Sequence, residues 1–126
     1  MKNVFAVLFS IFLLTAMCSC TSMPKREPWT FTDQTLFTAA AALHGADWLH
    51  TRAGIGKYGF EESNVILGKT PSTMTIDLYF ASTAIGLTAV AWYTPKKFRR
   101  GMLIGWAVIE LVSVMHNQTI GVQLSF

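Results

Sequence analysis

Six ionisable side chains sit inside stretches that are otherwise apolar: His44, Asp47, His50, Asp77, Glu110 and His116. A charge in hydrocarbon costs roughly 3 kcal/mol or more unless it is paired or hydrated, so each of these needs a partner, a wet cavity or a chemical role. Two imidazoles with carboxylates suit zinc or another divalent ion. A carboxylate beside a histidine suits proton transfer. The spacing carries no recognised signature for either: His44 and Asp47 are three apart, no His-Glu-x-x-His string occurs, and chain order alone defines no Ser-His-Asp geometry. The candidates for chemistry are His44, Asp47, Glu110 and His116, with no catalytic residue or metal ligand assigned and no cofactor expected. The plainer role is an internal polar network that fixes helix register, since buried polar groups must be satisfied whatever the function.

Helical spacing groups these residues. At about 100° per residue, Phe37, Ala40, His44, Asp47 and Thr51 fall on one stripe, and Trp106, Glu110, Ser113 and Asn117 on another. Two polar stripes invite pairing: Glu110 with His44, and His116 or Asn117 with the remaining polar groups. Asp77, near a helix start, is read as reaching the headgroups or strengthening the helix N-terminus.

Three elements must carry the stripes. Residues 32–52 read as a mixed-polarity helix, with Thr32 or Asp33 as its N-cap and Gly54 beyond its end. Residues 53–71, with Gly54, Gly56, Gly59, Gly68 and Pro71, form a long loop. Ser72 or Thr73 caps a second helix, about 72–94, stopped by Pro95. A basic turn, Pro95-Lys96-Lys97-Phe98-Arg99-Arg100, leads to a third helix, about 101–122. At about 1.5 Å per residue the last two are long enough to cross a bilayer, so a transmembrane hairpin is expected. Ser82 with Gly86, and Gly101 with Gly105, are spaced for close helix approach, within one chain or between two.

Composition points the same way. The chain has 126 residues, 52% of them hydrophobic and 13% charged, against about a quarter charged in average soluble proteins. Its mean hydropathy is +0.40. The net charge of +3 comes from Lys and Arg flanking apolar segments, which suits membrane flanks and not nucleic acid. Gly54-Ile55-Gly56-Lys57-Tyr58-Gly59 imitates a dinucleotide fingerprint, but a helix precedes it where a strand is required. Gly68-Lys69-Thr70 imitates a phosphate loop whose first glycine is replaced by Ser63.

The first twenty residues read as an address. Lys2 precedes an apolar run, Val4 to Ala16, and small or polar residues follow from Cys18 to Ser22. The stretch Leu13-Leu14-Thr15-Ala16-Met17-Cys18-Ser19-Cys20 resembles a bacterial lipobox, which implies lipidation at Cys20, with Cys18 the alternative. Those are the two cysteines of the chain, so the remainder holds no disulfide or thiol site.

Topology then has two solutions. If Cys20 is exported and all later helices span, Lys96, Lys97, Arg99 and Arg100 end outside, against the rule that short basic loops stay cytoplasmic. Either helix 32–52 lies on the membrane without crossing, or the first segment is retained with its N-terminus outside and four helices span.

Asp47 and Thr51 near the end of one helix, followed by Glu62-Ser63-Asn64-Val65-Ile66-Leu67-Gly68 and two apolar helices, resemble a family of small uncharacterised bacterial helical membrane proteins. The family loop reads acidic-x-Asn-Pro-x-Leu-Gly, and here Val65 replaces the proline. The resemblance implies a membrane helical bundle over about residues 36–122 and points at Asp47, Thr51, Glu62 and Asn64, without implying an activity. On the residues themselves, Glu62, Asn64 and Gly68 read as loop capping.

The expectation is an all-α membrane protein: residues 1–20 a signal or lipobox-like segment, and 21–126 a single helical membrane domain. It is a bacterial envelope component, placed in the inner membrane with the N-terminal part of the mature chain on the periplasmic side. It acts structurally or by interaction, with the lipid bilayer and a homo-oligomer or larger envelope complex as partners and no nucleic acid. The alternative is a membrane-embedded metal-binding protein or enzyme using His44, Asp47, Glu110 and His116.

Overall fold

The computed structural model describes residues 27–55, 61–62 and 64–122. The signal segment, Cys18, Cys20 and residues 56–59 of the glycine-rich string lie outside them. Among the described residues the chain is all-helical: α1 (Phe31–Gly54), α2 (Thr73–Tyr93) and α3 (Lys96–Thr119).

Each helix start has a local cause. Thr30, not Thr32 or Asp33, caps α1. Its hydroxyl accepts from Asp33 N–H at 3.2 Å while the Asp33 carboxylate accepts from Thr30 N–H at 2.9 Å, a reciprocal capping box. Ser72 caps α2, its Oγ accepting from Thr75 N–H at 3.1 Å. The third helix begins at Lys96 and not at residue 101. Pro95 has the extended backbone of a cap (φ −56°, ψ 144°), and its carbonyl accepts from Phe98 and Arg99 N–H at 2.9 and 3.0 Å. Lys and Arg are good helix formers, so the expected basic turn is the first turn of α3, and Thr94-Pro95 alone makes the connection.

Packing departs from the expected hairpin. Consecutive helices α2 and α3 touch only sparsely, whereas α1 packs extensively on α3 and to a lesser degree on α2. Asp33 meets Arg99, His44 meets Glu110 and Asp47 meets Asn117, so α1 and α3 run parallel in a fixed register. The contacts of Trp48 with Asp77 and of Trp29 with Trp92 make α2 antiparallel to both. Residues 27–30 and the first turn of α3 therefore lie at one end of the bundle, and the 61–72 loop at the other.

One helix among the described residues, Thr73–Tyr93, is long and apolar enough to cross a membrane. The expected second spanning partner is less apolar over its length because Lys96, Lys97, Arg99, Arg100 and Glu110 belong to the same helix.

Two small apolar clusters build the core. Ala40, Ala91, Leu103 and Trp106 join the three helices towards the Pro95 end. Leu67, Ile76 and Phe80 close the loop end. Leu67 reaches its cluster because the loop is folded on itself: Glu62 N–H donates to Lys69 O at 2.9 Å, Asn64 N–H to Glu62 Oε1 at 2.8 Å, and Ile66 N–H to Asn64 Oδ1 at 3.0 Å. Gly68 then takes φ +76°. A side chain in that left-handed region costs roughly 1–2 kcal/mol, so Gly68→Ala is expected to lower stability by about that much. A denaturation midpoint unchanged from wild type would show that the turn is not held as described.

Candidate functional site

The two polar stripes face each other. On α1, Ala40, His44 and Thr51 are buried; on α3, Trp106, Glu110 and Asn117 are buried. His44 is 6% exposed and Glu110 8% exposed, and His44 Nδ1 lies 2.7 Å from Glu110 Oε1.

The hydrogen-bond geometry fixes the proton count. His44 Nε2 lies 3.0 Å from the Phe80 carbonyl oxygen, which can only accept, so Nε2 carries a hydrogen. One further proton lies between Nδ1 and Glu110 Oε1. Whether it rests on nitrogen or oxygen, the pair has no net charge, and that is the form a low-dielectric interior tolerates best. Trp106 Nε1–H donates to the same Oε1 at 3.0 Å. The rings of Phe80 and Trp106 wrap the imidazole at centroid distances of 5.1 and 5.9 Å.

Towards the loop end, one turn on along α1 and two along α3, Asn117 Nδ2 donates to Asp47 Oδ1 at 2.7 Å. The sequence left open whether His116 or Asn117 would meet the α1 polar groups, and Asn117 does. His116 is exposed in the last turn of α3, apart from the buried pair. His50 is buried and its Nδ1–H donates to the Ala46 carbonyl at 2.8 Å, a bond within α1. Asp77 does more than strengthen a helix N-terminus: its Oδ1 accepts from Trp48 Nε1 at 2.9 Å and from Arg52 Nη1 at 3.1 Å, clasping α2 to α1. The Arg52 contact is half-exposed and worth about 0–1 kcal/mol.

Sequence reasoning did not anticipate the cluster at the other end. Arg99 is 1% exposed and Asp33 fully buried. Arg99 Nε donates to Thr94 O and Nη2 to Glu27 O, both at 3.2 Å, and the guanidinium lies 5.2 Å from the Trp29 ring centroid. Arg99 Nη1 approaches Asp33 Oδ2 at 3.6 Å and Arg100 Nε approaches Oδ1 at 3.4 Å, close enough for ion pairing but not aligned as hydrogen bonds. The signal was present in the sequence as Asp33 and a dense run of cations, but nothing local says which cation turns inward.

Asp33 stands in the first turn of α1, at the level of the basic end and outside the apolar length of the helix. The backbone hydrogen bond from Thr30 holds its carboxyl below the ordinary carboxylate range, outweighing the burial that pushes it up, with the Thr30 side chain and Arg100 adding to the lowering. A carboxyl with a lowered folded-state pKa contributes stability that is fully present above its unfolded value of about 3.9 and is lost as pH falls through the folded value. Wild type is therefore expected to lose stability on acidification below about pH 4 more steeply than Asp33→Asn. Parallel acid unfolding curves for the two proteins would contradict this assignment.

Among the described residues, no three His, Cys, Asp or Glu side chains converge as a metal cage would require. Both ring nitrogens of His44 are already engaged, leaving no lone pair for an ion. Glu62, Asn64 and Gly68 are occupied in shaping their loop.

No family model matches this chain, and no curated protein or solved structure is significantly similar to it.

Proposed function

We propose that this chain is a small bacterial membrane protein whose three described helices cross the bilayer together, and that it serves as a structural and interaction component of the cell envelope. The supporting observation is an inverted distribution of polarity. Asp33, His44, Arg99, Glu110 and Asn117 are buried, while Leu78, Ile85, Val108, Ile109 and Val112 are each more than half exposed. Lipid, as the surrounding solvent, makes that arrangement favourable, because polar groups are satisfied inside and apolar faces need no water. The buried polar groups bond to the chain's own atoms, which supports a register-fixing role over a catalytic one.

The parallel course of α1 and α3 bears on topology. If both cross, Glu27 to Thr30 share a side with Lys96, Lys97, Arg99 and Arg100, and the bias of basic residues towards the cytoplasm puts that end inside. A retained first segment with its N-terminus outside follows. Cleavage and lipidation at Cys20, with a periplasmic linker, is compatible with the same rule only where α1 lies flat on the membrane, and its extensive packing on α3 weighs against that. The intact mass of membrane-extracted protein separates the two. A full-length, unmodified mass is expected; a mass matching cleavage before Cys20 plus acyl chains, lost in Cys20→Ala, would overturn this orientation.

The interaction role rests on helix faces that the described residues do not use among themselves. A Cβ added at Gly86, Gly101 or Gly105 meets no atom within 4 Å. These small residues are left for lipid or a neighbouring helix. Cross-linking in native membranes is expected to trap a species larger than the monomer, and Gly86→Ile with Gly105→Ile to weaken it without lowering the stability of the single chain. A protein that stays monomeric in lipid, with no cross-linked species, would remove the interaction role. Stoichiometric metal in untagged protein would favour the metal-binding alternative instead.

A further inference from the structure

Among the described residues the bundle has a groove at its basic end. Between the start of α1 and the end of α2 lies a groove of about 620 Å³, lined by Trp29, Phe37, Thr38, Thr88 and Trp92 with Glu27 at one edge. Its volume falls within the range of about 300–1,000 Å³ typical of small-molecule sites. Three of its walls are aromatic rings: Trp29 lies 5.4 Å from Phe37 and 5.6 Å from Trp92 between ring centroids.

The first turn of α3 stands at the mouth. The backbone N–H of Lys96 donates to Glu27 Oε2 at 2.6 Å, so the one carboxylate edging the groove is engaged by the helix N-terminus. Lys96 and Lys97 are exposed on that turn, Arg100 lies against Asp33, and Arg99 stacks on the Trp29 ring. The slot thus ends beside the first turn of α3, on which Lys96 and Lys97 are exposed.

We infer that this groove binds one anionic phospholipid of the surrounding bilayer, an acyl chain lying between α1 and α2 against Trp29, Phe37 and Trp92, and the phosphate meeting Lys96 and Lys97. Charge complementarity selects this occupant. A zwitterionic lipid fills the slot but gains little from the cations, and a second copy of this chain would bring its own basic turn against them. The inference rests on the membrane reading above, in which this end faces the cytoplasmic leaflet, where anionic lipids attract basic segments.

The test uses the full chain in phosphatidylcholine vesicles doped with either brominated phosphatidylglycerol or brominated phosphatidylcholine at equal mole fraction, with quenching of tryptophan fluorescence as the readout. Quenching by the anionic lipid is expected to exceed that by the zwitterionic one severalfold and to fall at high salt. Lys96→Glu with Lys97→Glu should erase the preference while keeping the helix, since glutamate suits a helix N-terminus. Thr88→Phe, which fills the slot, should reduce quenching by the anionic lipid with the lysines intact. Equal quenching by the two lipids, or a preference that survives the double charge reversal, would overturn the proposal. Flotation of the same vesicles separates the failures: protein that floats without lipid preference refutes the lipid site alone, and protein that does not float refutes the membrane reading beneath it.

Discussion

Glu110→Ala is expected to destabilise the bundle by roughly 3–5 kcal/mol, the usual consequence of stripping one partner from a buried charge-bonded pair. The variant strands two groups at once, His44 Nδ1 and Trp106 Nε1–H, both of which use Glu110 Oε1. Glu110→Gln behaves differently. With Nε2–H committed to Phe80 O, a neutral His44 has an acceptor at Nδ1; because His44 and Trp106 share one carboxylate oxygen, a glutamine in the same place keeps one of the two bonds, its N–H against Nδ1 or its oxygen against Trp106. A loss between wild type and Glu110→Ala is expected for the Gln variant, and a smaller loss for His44→Leu with Glu110→Leu than for Glu110→Ala, because the double change leaves no polar group unpaired among those two. Unfolding free energies in bicelles supply the comparison. If Gln were as damaging as Ala, the pair would need a charged carboxylate, and a proton-transfer or ionic role would replace the structural one.

The second large effect is expected at Arg99. Arg99→Ala removes two hydrogen bonds to the Thr94 and Glu27 carbonyls, the stack on Trp29 and the nearest charge to one oxygen of Asp33. Asp33 stays fully buried with Arg100 beside its other oxygen. A loss of roughly 3 kcal/mol or more is expected for the truncation. Arg99→Lys is expected to recover only part of it, since one ammonium cannot reproduce a planar fork serving two carbonyls and an aromatic face. Asp33→Asn in the Arg99→Ala background should restore stability towards wild type by removing the orphaned charge. Failure of that rescue would mean that the hydrogen bonds and packing of Arg99, and not its pairing, carry the effect.

Residues of one helix face were legible because the α-helical period is short-range information. His44 and Asp47 on one stripe and Glu110 and Asn117 on another follow from spacing alone, and the pairing of His44 with Glu110 follows from the need of buried polar groups for partners. Loop capping by Glu62 and Asn64 was legible for the same local reason. Helix order in space was not. His44 and Glu110 are 66 residues apart, and nothing in either helix says that α1 would lie along α3 while the adjacent helices α2 and α3 barely touch. Pro95 was read as the stop of one helix, although proline is equally suited to helix starts, and that misplaced Arg99 in a turn when it belongs inside. The groove beside Trp29 and Trp92 arises only from how α1 and α2 diverge, so no sequence pattern announces it.

Site-specific labelling tests most directly whether the three helices cross together with the basic end inside. In a chain with Cys18 and Cys20 replaced by Ala, single cysteines at Pro28, Val65 and Lys97, all at exposed positions, can be tested with a membrane-impermeant maleimide on intact and permeabilised spheroplasts. Pro28→Cys and Lys97→Cys are expected to react only after permeabilisation, and Val65→Cys to react in both. Reaction of Pro28→Cys and Lys97→Cys on opposite sides, or of all three positions on one side, would contradict that topology.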